Sequence, residues 1–177
     1  AVTQHAGPAG KSLDVLDAGC GTGLCGPLLA PWARTLVGVD LSEGMLRKAV
    51  ARGDYTRLVC GELVAFLSAQ TAAYDLIVSA DTLCYFGALE GFAAASFAAL
   101  RGPGLLVFTV EAHSADDAAP GFRLQGNGRY SHAQAYVEST LREAGFALLD
   151  LVAIVPRSEA GRSVNGWLVS ARAERGR

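Results

Sequence analysis

Asp17-Ala18-Gly19-Cys20-Gly21-Thr22-Gly23 follows directly on a short apolar run that begins at Leu13. The apolar run predicts a buried β-strand, and the three alternating glycines predict a tight turn in which a ligand can contact bare backbone. The residues after the turn are expected to open a helix, whose unpaired N–H groups favour a small anionic or polar ligand group. A strand, a glycine-rich turn and a helix are therefore predicted around a ligand.

Similar apolar runs recur along the first two thirds of the chain, with helical stretches between them. Several are nearly continuous in Leu, Val and Ile, which is typical of parallel strands covered by helices on both faces. The predicted fold is therefore α/β, a doubly wound and mostly parallel sheet in a three-layer sandwich. The five runs cover residues 13–18, 35–40, 56–60, 74–80 and 104–111.

The last third of the chain has a different pattern. Two apolar runs, residues 146–155 and 164–172, are joined by a polar turn, and they predict a C-terminal antiparallel hairpin. Residues 112–131 are rich in Asp, Gly and Asn with little periodicity, and they are interpreted as a lid or substrate loop. Ser131 and Gln134 have the spacing of a capping box, which predicts that a helix opens there.

Composition limits the class of protein and its partners. The chain has 177 residues, 51% of them hydrophobic, which favours a folded globular domain. With 15 Lys and Arg against 17 Asp and Glu, the net charge is −2, so a nucleic-acid partner is not expected. The absence of an apolar run of about 20 residues argues against a membrane span.

The chain is expected to be a single cytoplasmic domain over residues 1–177. Its 4 cysteines include no Cys-x-x-Cys pair and are interpreted as reduced thiols. It begins with Ala1 rather than Met, so we allow for N-terminal elements upstream that are absent from this sequence. The oligomeric state is left open.

Two cofactors are compatible with the glycine-rich turn. Residues 21–26 match Gly-x-Gly-x-x-Gly, and Asp40 closes the second strand where a carboxylate can accept both hydroxyls of a ribose, as in an NAD-dependent oxidoreductase. Asp17, however, lies just before the glycines and would repel a pyrophosphate while attracting an ammonium group. This favours S-adenosylmethionine (SAM) as the cofactor and leaves NAD as the alternative.

The same residues resemble a known family. Residues 17–23 are similar to the first motif of the class I SAM-dependent methyltransferases, which implies the Rossmann-like methyltransferase fold and transfer of a methyl group from SAM. The likeness spans about residues 13 to 172 and includes the antiparallel last hairpin of that family. Three later segments continue it, namely residues 37–42, 74–81 and 100–106.

Within that family, one group has the most similar sequence motifs. Residues 23–29, 108–111 and 128–132 look like a predicted methyltransferase group that is often attached to tetratricopeptide repeats. The resemblance implies that a repeat domain can be a partner of this chain. It does not name a substrate.

The resemblance also implies twelve cofactor-binding residues. The methionine part of SAM would be bound near the glycine-rich turn, the ribose at the end of the second strand, the adenine after the second and third strands, and the methyl end after the fourth. Glu62 stands where the family more often has Asp. In that order the residues are Asp17, Gly19, Cys20 and Gly21; Asp40; Leu41, Met45, Gly61, Glu62 and Leu63; and Ala80 and Asp81.

Methyl transfer from a sulfonium is an in-line displacement, so alignment of the acceptor is the main requirement and no nucleophilic side chain is needed. A hydroxyl or ammonium acceptor must lose a proton, for which His132 or His113 is the candidate base, whereas a carboxyl acceptor needs none. Tyr85 is the second catalytic candidate, at the mouth of the site. The structural alternatives are a solvent-facing histidine in a helical turn and an aromatic residue that packs at the rim.

A small or medium-sized molecule is the expected acceptor, and no metal is expected. Asp81 with Asp116 and Asp117 could gather a divalent cation, but their spacing is loose and solvated loop residues are the simpler interpretation. A module that binds SAM without transferring the methyl group is a further alternative.

Overall fold

A computed structural model describes residues 1–113, 121–159 and 161–174. The strands in these ranges are β1 (Leu13–Ala18), β2 (Ala33–Asp40), β3 (Arg57–Cys60), β4 (Tyr74–Ser79), β5 (Leu100–Ala112), β6 (Phe122–Leu124), β7 (Tyr130–His132), β8 (Phe146–Glu159) and β9 (Arg162–Ala173). The helices are α1 (Val2–His5), α2 (Gly26–Leu29), α3 (Glu43–Val50), α4 (Leu63–Ser68), α5 (Glu90–Ala99) and α6 (Gln134–Glu143), with a 3₁₀ turn at Leu83–Tyr85.

The sheet is mostly parallel. Its order is β3-β2-β1-β4-β5, with each neighbouring pair parallel. Strand β9 then pairs with β5 antiparallel, and β8 pairs with β9 antiparallel, which forms the C-terminal hairpin. The predicted mostly parallel α/β sheet with a terminal antiparallel hairpin is thus confirmed.

Helices cover both faces of the sheet. Leu16 of β1 belongs to an apolar cluster with Phe92 of α5 and Val137 of α6, on one face. The neighbouring Val15 belongs to a second cluster with Leu29 of α2, on the other face. Because both faces of β1 are buried, its apolar residues lie on both faces rather than alternating, and the strand also buries Asp14 and Asp17.

The segment before α6 differs from the prediction. Helix α6 begins at Gln134 with Ala133 as its N-cap, so the predicted capping box at Ser131 is wrong. Ser131 lies in β7, where it pairs with Glu111 of β5, and this backbone pairing excludes it from a helix cap.

Only part of the predicted lid can be compared with the structure. Residues 114–120 lie outside the described residues. Strands β6 and β7 pair antiparallel with each other, and β7 pairs with the end of β5, so this part of the loop is attached to the sheet. No helix in the described part of the chain is long and apolar enough to cross a membrane.

Candidate cofactor site

The glycine-rich turn requires its glycines for conformation and for space. Gly19, Gly21 and Gly23 have φ of +81°, +53° and +80°, values that residues with a side chain rarely adopt. A Cβ on Gly19 would lie 2.3 Å from Thr82 Oγ1. The Thr82 hydroxyl donates to the Gly19 carbonyl at 3.0 Å, so the turn packs directly against the residues that follow β4.

Asp17 lies at the end of β1, beneath this turn. Its side chain is buried, and its Oδ2 accepts a hydrogen bond of 2.6 Å from the Tyr55 hydroxyl. The pKa of Asp17 is raised to about 6, mainly by burial, while the bond from Tyr55 lowers it and the nearby charge of Asp40 raises it. The charged carboxylate is therefore disfavoured here until a cation reaches it.

Asp40 closes β2 and holds two loops in place. Its Oδ2 accepts from the Gly21 amide at 2.8 Å, and its Oδ1 accepts from the Ser42 amide at 2.8 Å. Since a carboxylate has about four lone-pair positions, both oxygens can still accept ribose hydroxyls. Asp40 thus fixes the glycine-rich turn against the start of α3 and presents acceptor groups between them.

The region after β2 and β3 has an apolar floor and a capped helix. Leu41 and Met45 are large apolar side chains that are 75% and 46% exposed in this structure, beside the buried Leu63. Glu62 is the N-cap of α4, and its carboxylate accepts from the amides of Val64 and Ala65. This arrangement can cover a flat apolar ring system between Leu41, Met45 and Leu63.

The glycine-rich turn, Asp17, Asp40 and the side chains that follow β2 and β3 line one cavity of about 800 Å³ at the carboxyl ends of β1, β2, β3 and β4. The volume lies within the range of small-molecule sites, about 300–1,000 Å³. The twelve predicted cofactor residues all line it, as does Tyr85, although they come from four separate segments. The other lining residues are Thr22, Leu24, Cys25, Val39, Ser42, Thr82 and Phe86.

One wall of the cavity continues into an ionic cluster. Asp81 has a φ of +53°, and its amide donates to Thr109 Oγ1 at 2.9 Å. Its carboxylate accepts from Arg157 Nη1 at 2.6 Å, and the same guanidinium binds the buried Glu111. Arg157 thus connects the cavity wall with β5 and β8.

A second arginine lies over the same wall. The guanidinium carbon of Arg129 is 5.5 Å from the centre of the Tyr85 ring, and its Nη2 donates to the Tyr85 hydroxyl at 3.4 Å. Arg129 Nη1 is also 3.9 Å from Glu111. Tyr85 lines the cavity, and the Arg129 cation lies over the face of its exposed ring. Its catalytic role stays a prediction.

His132 is not among the residues that line the cavity. It is completely buried at the end of β7, its Nε2 lies 3.0 Å from the Gly87 carbonyl, and its ring stacks on Tyr136. Burial lowers the pKa of His132. The predicted helical turn at His132 is wrong, because the residue belongs to strand β7, which packs on the 3₁₀ turn region. Its side chain therefore has neither the position facing the cavity that the predicted catalytic role requires nor the solvent-facing position of the structural alternative.

The thiols of the cavity are not prepared as nucleophiles. Burial raises the pKa of Cys20 to about 12 and that of Cys25 to about 11, so both are protonated at neutral pH. Within residues 1–113, 121–159 and 161–174, no group of three or more His, Cys, Asp and Glu side chains could hold a metal ion.

Tyr55 is the main site residue that the sequence analysis missed. Its ring fills the space between three glycines, since a Cβ on Gly23, Gly26 or Gly38 would lie 3.0, 2.9 or 2.9 Å from it. Tyr55 is distant in sequence from Asp17. The pairing of its large ring with small glycines therefore indicates this contact only once the strand order is known. Thr82 and Arg157 were missed for the same reason.

The fold and the cavity define a Rossmann-like α/β domain that binds a nucleoside cofactor at the carboxyl ends of its parallel strands. Residues 15–104 match the family model described as "Methyltransferase domain". The chain belongs to this methyltransferase family, which confirms the resemblance to class I SAM-dependent methyltransferases.

Two curated relatives and one solved structure show how far the similarity extends. The 18S rRNA (guanine-N(7))-methyltransferase of Bos taurus is 33% identical over 72 residues, 41% of this chain and 26% of the relative. The malonyl-[acyl-carrier protein] O-methyltransferase of Acetivibrio thermocellus is 32% identical over 104 residues, 57% of this chain and 36% of the relative. The matches thus span about a third or less of these relatives.

The structural match covers nearly the whole chain. A SAM-dependent methyltransferase from Mesorhizobium loti superposes with a TM-score of 0.73 at 23% identity, over 97% of this chain and 95% of the other. This match shows the fold. The family match supports SAM as the cofactor predicted from the sequence, and the cavity fits it through the buried Asp17 carboxylate and the exposed Leu41 and Met45.

Proposed function

We propose that this chain catalyses methyl transfer from SAM to a small or medium-sized acceptor. The observation that carries the proposal is the single cavity in which all twelve predicted cofactor residues meet. When bound, SAM supplies an electrophilic methyl group on a sulfonium. The protein orients it and the acceptor for in-line displacement, which can contribute up to about 7–11 kcal/mol as effective molarity.

Each part of the cofactor has a proposed partner in the cavity. Asp17 attracts the ammonium group of the methionine part, and the glycine-rich turn allows close approach of the backbone. Asp40 accepts the ribose hydroxyls, and Leu41 and Met45 cover the adenine. The remaining assignments are Cys20 beside the methionine part, Gly61, Glu62 and Leu63 at the adenine edge, and Ala80 and Asp81 at the methyl end.

The relatives act on different kinds of acceptor. One is named for an rRNA guanine and another for a malonyl group on an acyl carrier protein, so family membership does not select the substrate. A small-molecule acceptor fits a chain whose net charge is −2. The cytoplasmic location, and a repeat-domain partner as in the group attached to tetratricopeptide repeats, stay predictions.

The competing NAD-dependent function is disfavoured by Asp17. Its carboxylate lies beneath the turn where a pyrophosphate would bind, and β8 and β9 form an antiparallel hairpin beside β5. The third possibility, a module that binds SAM without catalysis, shares the cofactor site and differs only in the absence of methyl transfer.

The test is a comparison of cofactor affinities by calorimetry. We expect S-adenosylhomocysteine (SAH) and SAM to bind and to raise the melting temperature, and NADH to do neither. Asp17→Asn should weaken SAH binding at least tenfold at pH 7.5. The matched control is Glu143→Gln, which neutralises an exposed carboxylate at the end of α6 and should leave affinity unchanged. Binding of NADH without binding of SAH would contradict the proposal.

A further inference from the structure

We propose that Asp81 binds the acceptor of the methyl group and that this acceptor is a neutral hydroxyl group. One carboxylate oxygen of Asp81 accepts the hydrogen bond of the hydroxyl and takes its proton, and Arg157 is a positioning residue that holds the other oxygen. The inference rests on the proposed methyl transfer and specifies its substrate class. It comes from the contacts of the four carboxylates that line the cavity.

Three of these carboxylates are buried or are engaged by the protein at both oxygens. Asp17 is 1% exposed beneath the glycine-rich turn, where it accepts from Tyr55. Both oxygens of Asp40 accept backbone amides, and so do both oxygens of Glu62. These contacts connect the three side chains to the loops that form the cofactor part of the cavity.

Asp81 differs from the other three in having one oxygen without a partner. Its Oδ1 accepts from Arg157 Nη1 at 2.6 Å and from the Cys84 thiol at 3.8 Å. None of the described residues donates a hydrogen bond to its Oδ2, and the side chain is 54% exposed. A carboxylate oxygen has two lone-pair positions, so Oδ2 can accept from a ligand in the cavity.

The backbone places Asp81 beside the glycine-rich turn. It directly precedes Thr82, whose hydroxyl donates to the Gly19 carbonyl at 3.0 Å. Its φ of +53° is uncommon for a residue with a side chain, and this conformation is held by the bond of 2.9 Å from its amide to Thr109 Oγ1. Backbone conformations of this kind are concentrated at functional sites. The conformation therefore supports a role for Asp81 in the reaction.

Arg157 fixes the orientation of the Asp81 carboxylate. Its guanidinium group is 16% exposed and contacts both Asp81 and the buried Glu111. Because Glu111 belongs to β5 and Arg157 to β8, the sheet holds the guanidinium in place before any ligand binds. A planar group that holds Oδ1 leaves Oδ2 for the acceptor.

The chemistry of a carboxylate selects a hydroxyl among the possible acceptors. An oxygen that receives a methyl group while it still carries its hydrogen is a much stronger acid than a carboxylic acid, so its proton passes to Asp81. A methylated ammonium is a much weaker acid than a carboxylic acid, so it keeps its proton and gives Asp81 no role as a base. An acceptor that is itself a carboxylate is repelled by Oδ2.

The step balances without an added reactant. A lone pair of the hydroxyl oxygen forms the new C–O bond to the methyl carbon, while the C–S bond breaks and its electron pair remains on sulfur. The O–H bond breaks and its proton is transferred to Asp81 Oδ2. The products are a methyl ether and SAH, and the exposed Asp81 side chain then releases the proton to water.

The first experiment measures recognition of the hydroxyl independently of turnover. With SAH at saturation, we expect phenol to bind at least tenfold more tightly than anisole, and benzyl alcohol than benzyl methyl ether, since only the first of each pair can donate to Oδ2. Arg157 selects the amide oxygen in Asp81→Asn, so an N–H₂ group replaces Oδ2 and both preferences should be lost.

The matched control is Asp75→Asn. Asp75 pairs with Arg101 at the start of β4, the strand that Asp81 follows, and it does not line the cavity. The substitution therefore weakens an ion pair of the same kind outside the site. Both hydroxyl preferences should persist in this variant.

Variants of Arg157 test its positioning role. Arg157→Gln should reduce the preference for phenol over anisole, and Arg157→Lys should restore part of it, because a lysine can still donate to Oδ1. A purely structural role for Arg157 predicts that both variants lower the melting temperature and keep the preference. That result would overturn the positioning role.

The second experiment identifies the bond that is formed. The protein is incubated with SAM that carries a labelled methyl group and with phenol, benzyl alcohol, benzoate or benzylamine as separate acceptors. Labelled methyl ether from the hydroxyl compounds, with kcat reduced at least a hundredfold in Asp81→Asn, supports the proposal. Labelled methyl ester from benzoate or N-methyl product from benzylamine, without ether, overturns it. Where no probe is methylated, the binding preferences of the first experiment decide.

Two failures are distinguishable. If SAH binds the wild-type protein but neither hydroxyl compound binds better than its methyl ether, or if Asp81→Asn keeps the preference, the acceptor assignment is overturned and the proposed methyl transfer stands. If SAH does not bind the wild-type protein, the proposed function itself fails.

Discussion

The Tyr55 hydroxyl donates a hydrogen bond of 2.6 Å to Asp17 Oδ2 beneath the glycine-rich turn. This contact gives a buried carboxylate one strong donor, but burial still raises the pKa of Asp17 to about 6. The carboxylate is therefore kept beneath the turn at a cost in stability, which a bound ammonium group would offset. The affinity for cofactor and the stability of the free protein consequently depend on pH through the same residue.

Cofactor affinity should decrease in acid. Below a pH of about 6, Asp17 becomes protonated in the free protein and no longer attracts the ammonium group of SAH. We expect the association constant, measured by calorimetry between pH 5 and 8, to be constant above about pH 7 and to approach a tenfold decrease per pH unit in acid. Asp17→Asn should bind weakly over the whole range with a flat profile.

Tyr55→Phe tests the cause of this dependence. The bond from Tyr55 lowers the pKa of Asp17, so its removal should move the decrease in affinity to a higher pH while the limiting affinity in base stays close to that of the wild type. An unshifted profile would show that Tyr55 acts on Asp17 only through packing.

The stability of the free protein should increase in acid, whereas the affinity for cofactor decreases. The pKa of Asp17 is raised from 3.8 to about 6, so the protonated side chain stabilises the folded protein. This stabilisation is fully present below pH 3.8, is lost as pH rises through 6, and amounts to about 3 kcal/mol of unfolding free energy. Asp17→Asn should therefore be more stable than the wild type at pH 7.5, and the difference should disappear near pH 4. Urea unfolding at a series of pH values measures it.

Titration of His132 also changes the stability with pH, so the contribution of Asp17 has to be measured as the difference between wild type and Asp17→Asn. Burial lowers the pKa of His132, so its contribution to stability is present above 6.5 and is lost as pH falls. The two groups act in opposite directions over neighbouring pH ranges, and the wild-type profile alone cannot separate them. The difference between wild type and Asp17→Asn cancels the histidine contribution, because both proteins contain it.

Many residues that line the cavity could be predicted because their signals are local. Gly19, Gly21 and Asp17 follow one another in a single turn, and Asp40 ends the next apolar run, so strand order alone brings them together. Tyr55 and Arg157 reach the site from segments with no such motif. Their contacts depend on β2 lying beside β3 and on the hairpin extending past β5, neither of which a local pattern specifies.

At His132, by contrast, a local sequence pattern was present but predicted the wrong structure. The local spacing of Ser131 and Gln134 favours a helix cap, but pairing of Ser131 with Glu111 keeps the segment in a strand. A long-range backbone contact thus overrides a short-range propensity, and the histidine is buried against Tyr136 rather than exposed.

Gly19 is expected to be the least replaceable glycine of the turn. Gly19→Ala combines a φ of +81° with a contact of 2.3 Å to Thr82, whereas Gly53→Ala has a φ of +77° with no described atom within 4 Å of its Cβ. Gly53→Ala should cost about 1–2 kcal/mol of stability from backbone strain alone. Gly19→Ala should cost clearly more and abolish SAH binding, as measured by urea unfolding and calorimetry.

Thr82→Ala provides the corresponding rescue. It removes the two closest atoms, so the double variant with Gly19→Ala should regain part of the stability lost by Gly19→Ala alone. Equal costs for the alanine variants at Gly19 and Gly53 would contradict the packing of the turn against Thr82.

Asp40 should determine recognition of the ribose. Its two oxygens accept from the amides of Gly21 and Ser42, so Asp40→Asn places an N–H₂ group opposite one of these donors and leaves a bond unmade. We expect wild-type protein to prefer adenosine over 2′,3′-dideoxyadenosine at least tenfold in competition with SAH, and Asp40→Asn to lose this preference.

Ser42→Ala is the matched control. It removes the side-chain cap of α3 and should cost about 1 kcal/mol of stability, while the preference persists because the carboxylate remains. If Asp40→Asn kept the preference, the hydroxyls would have to be recognised by another residue of the cavity.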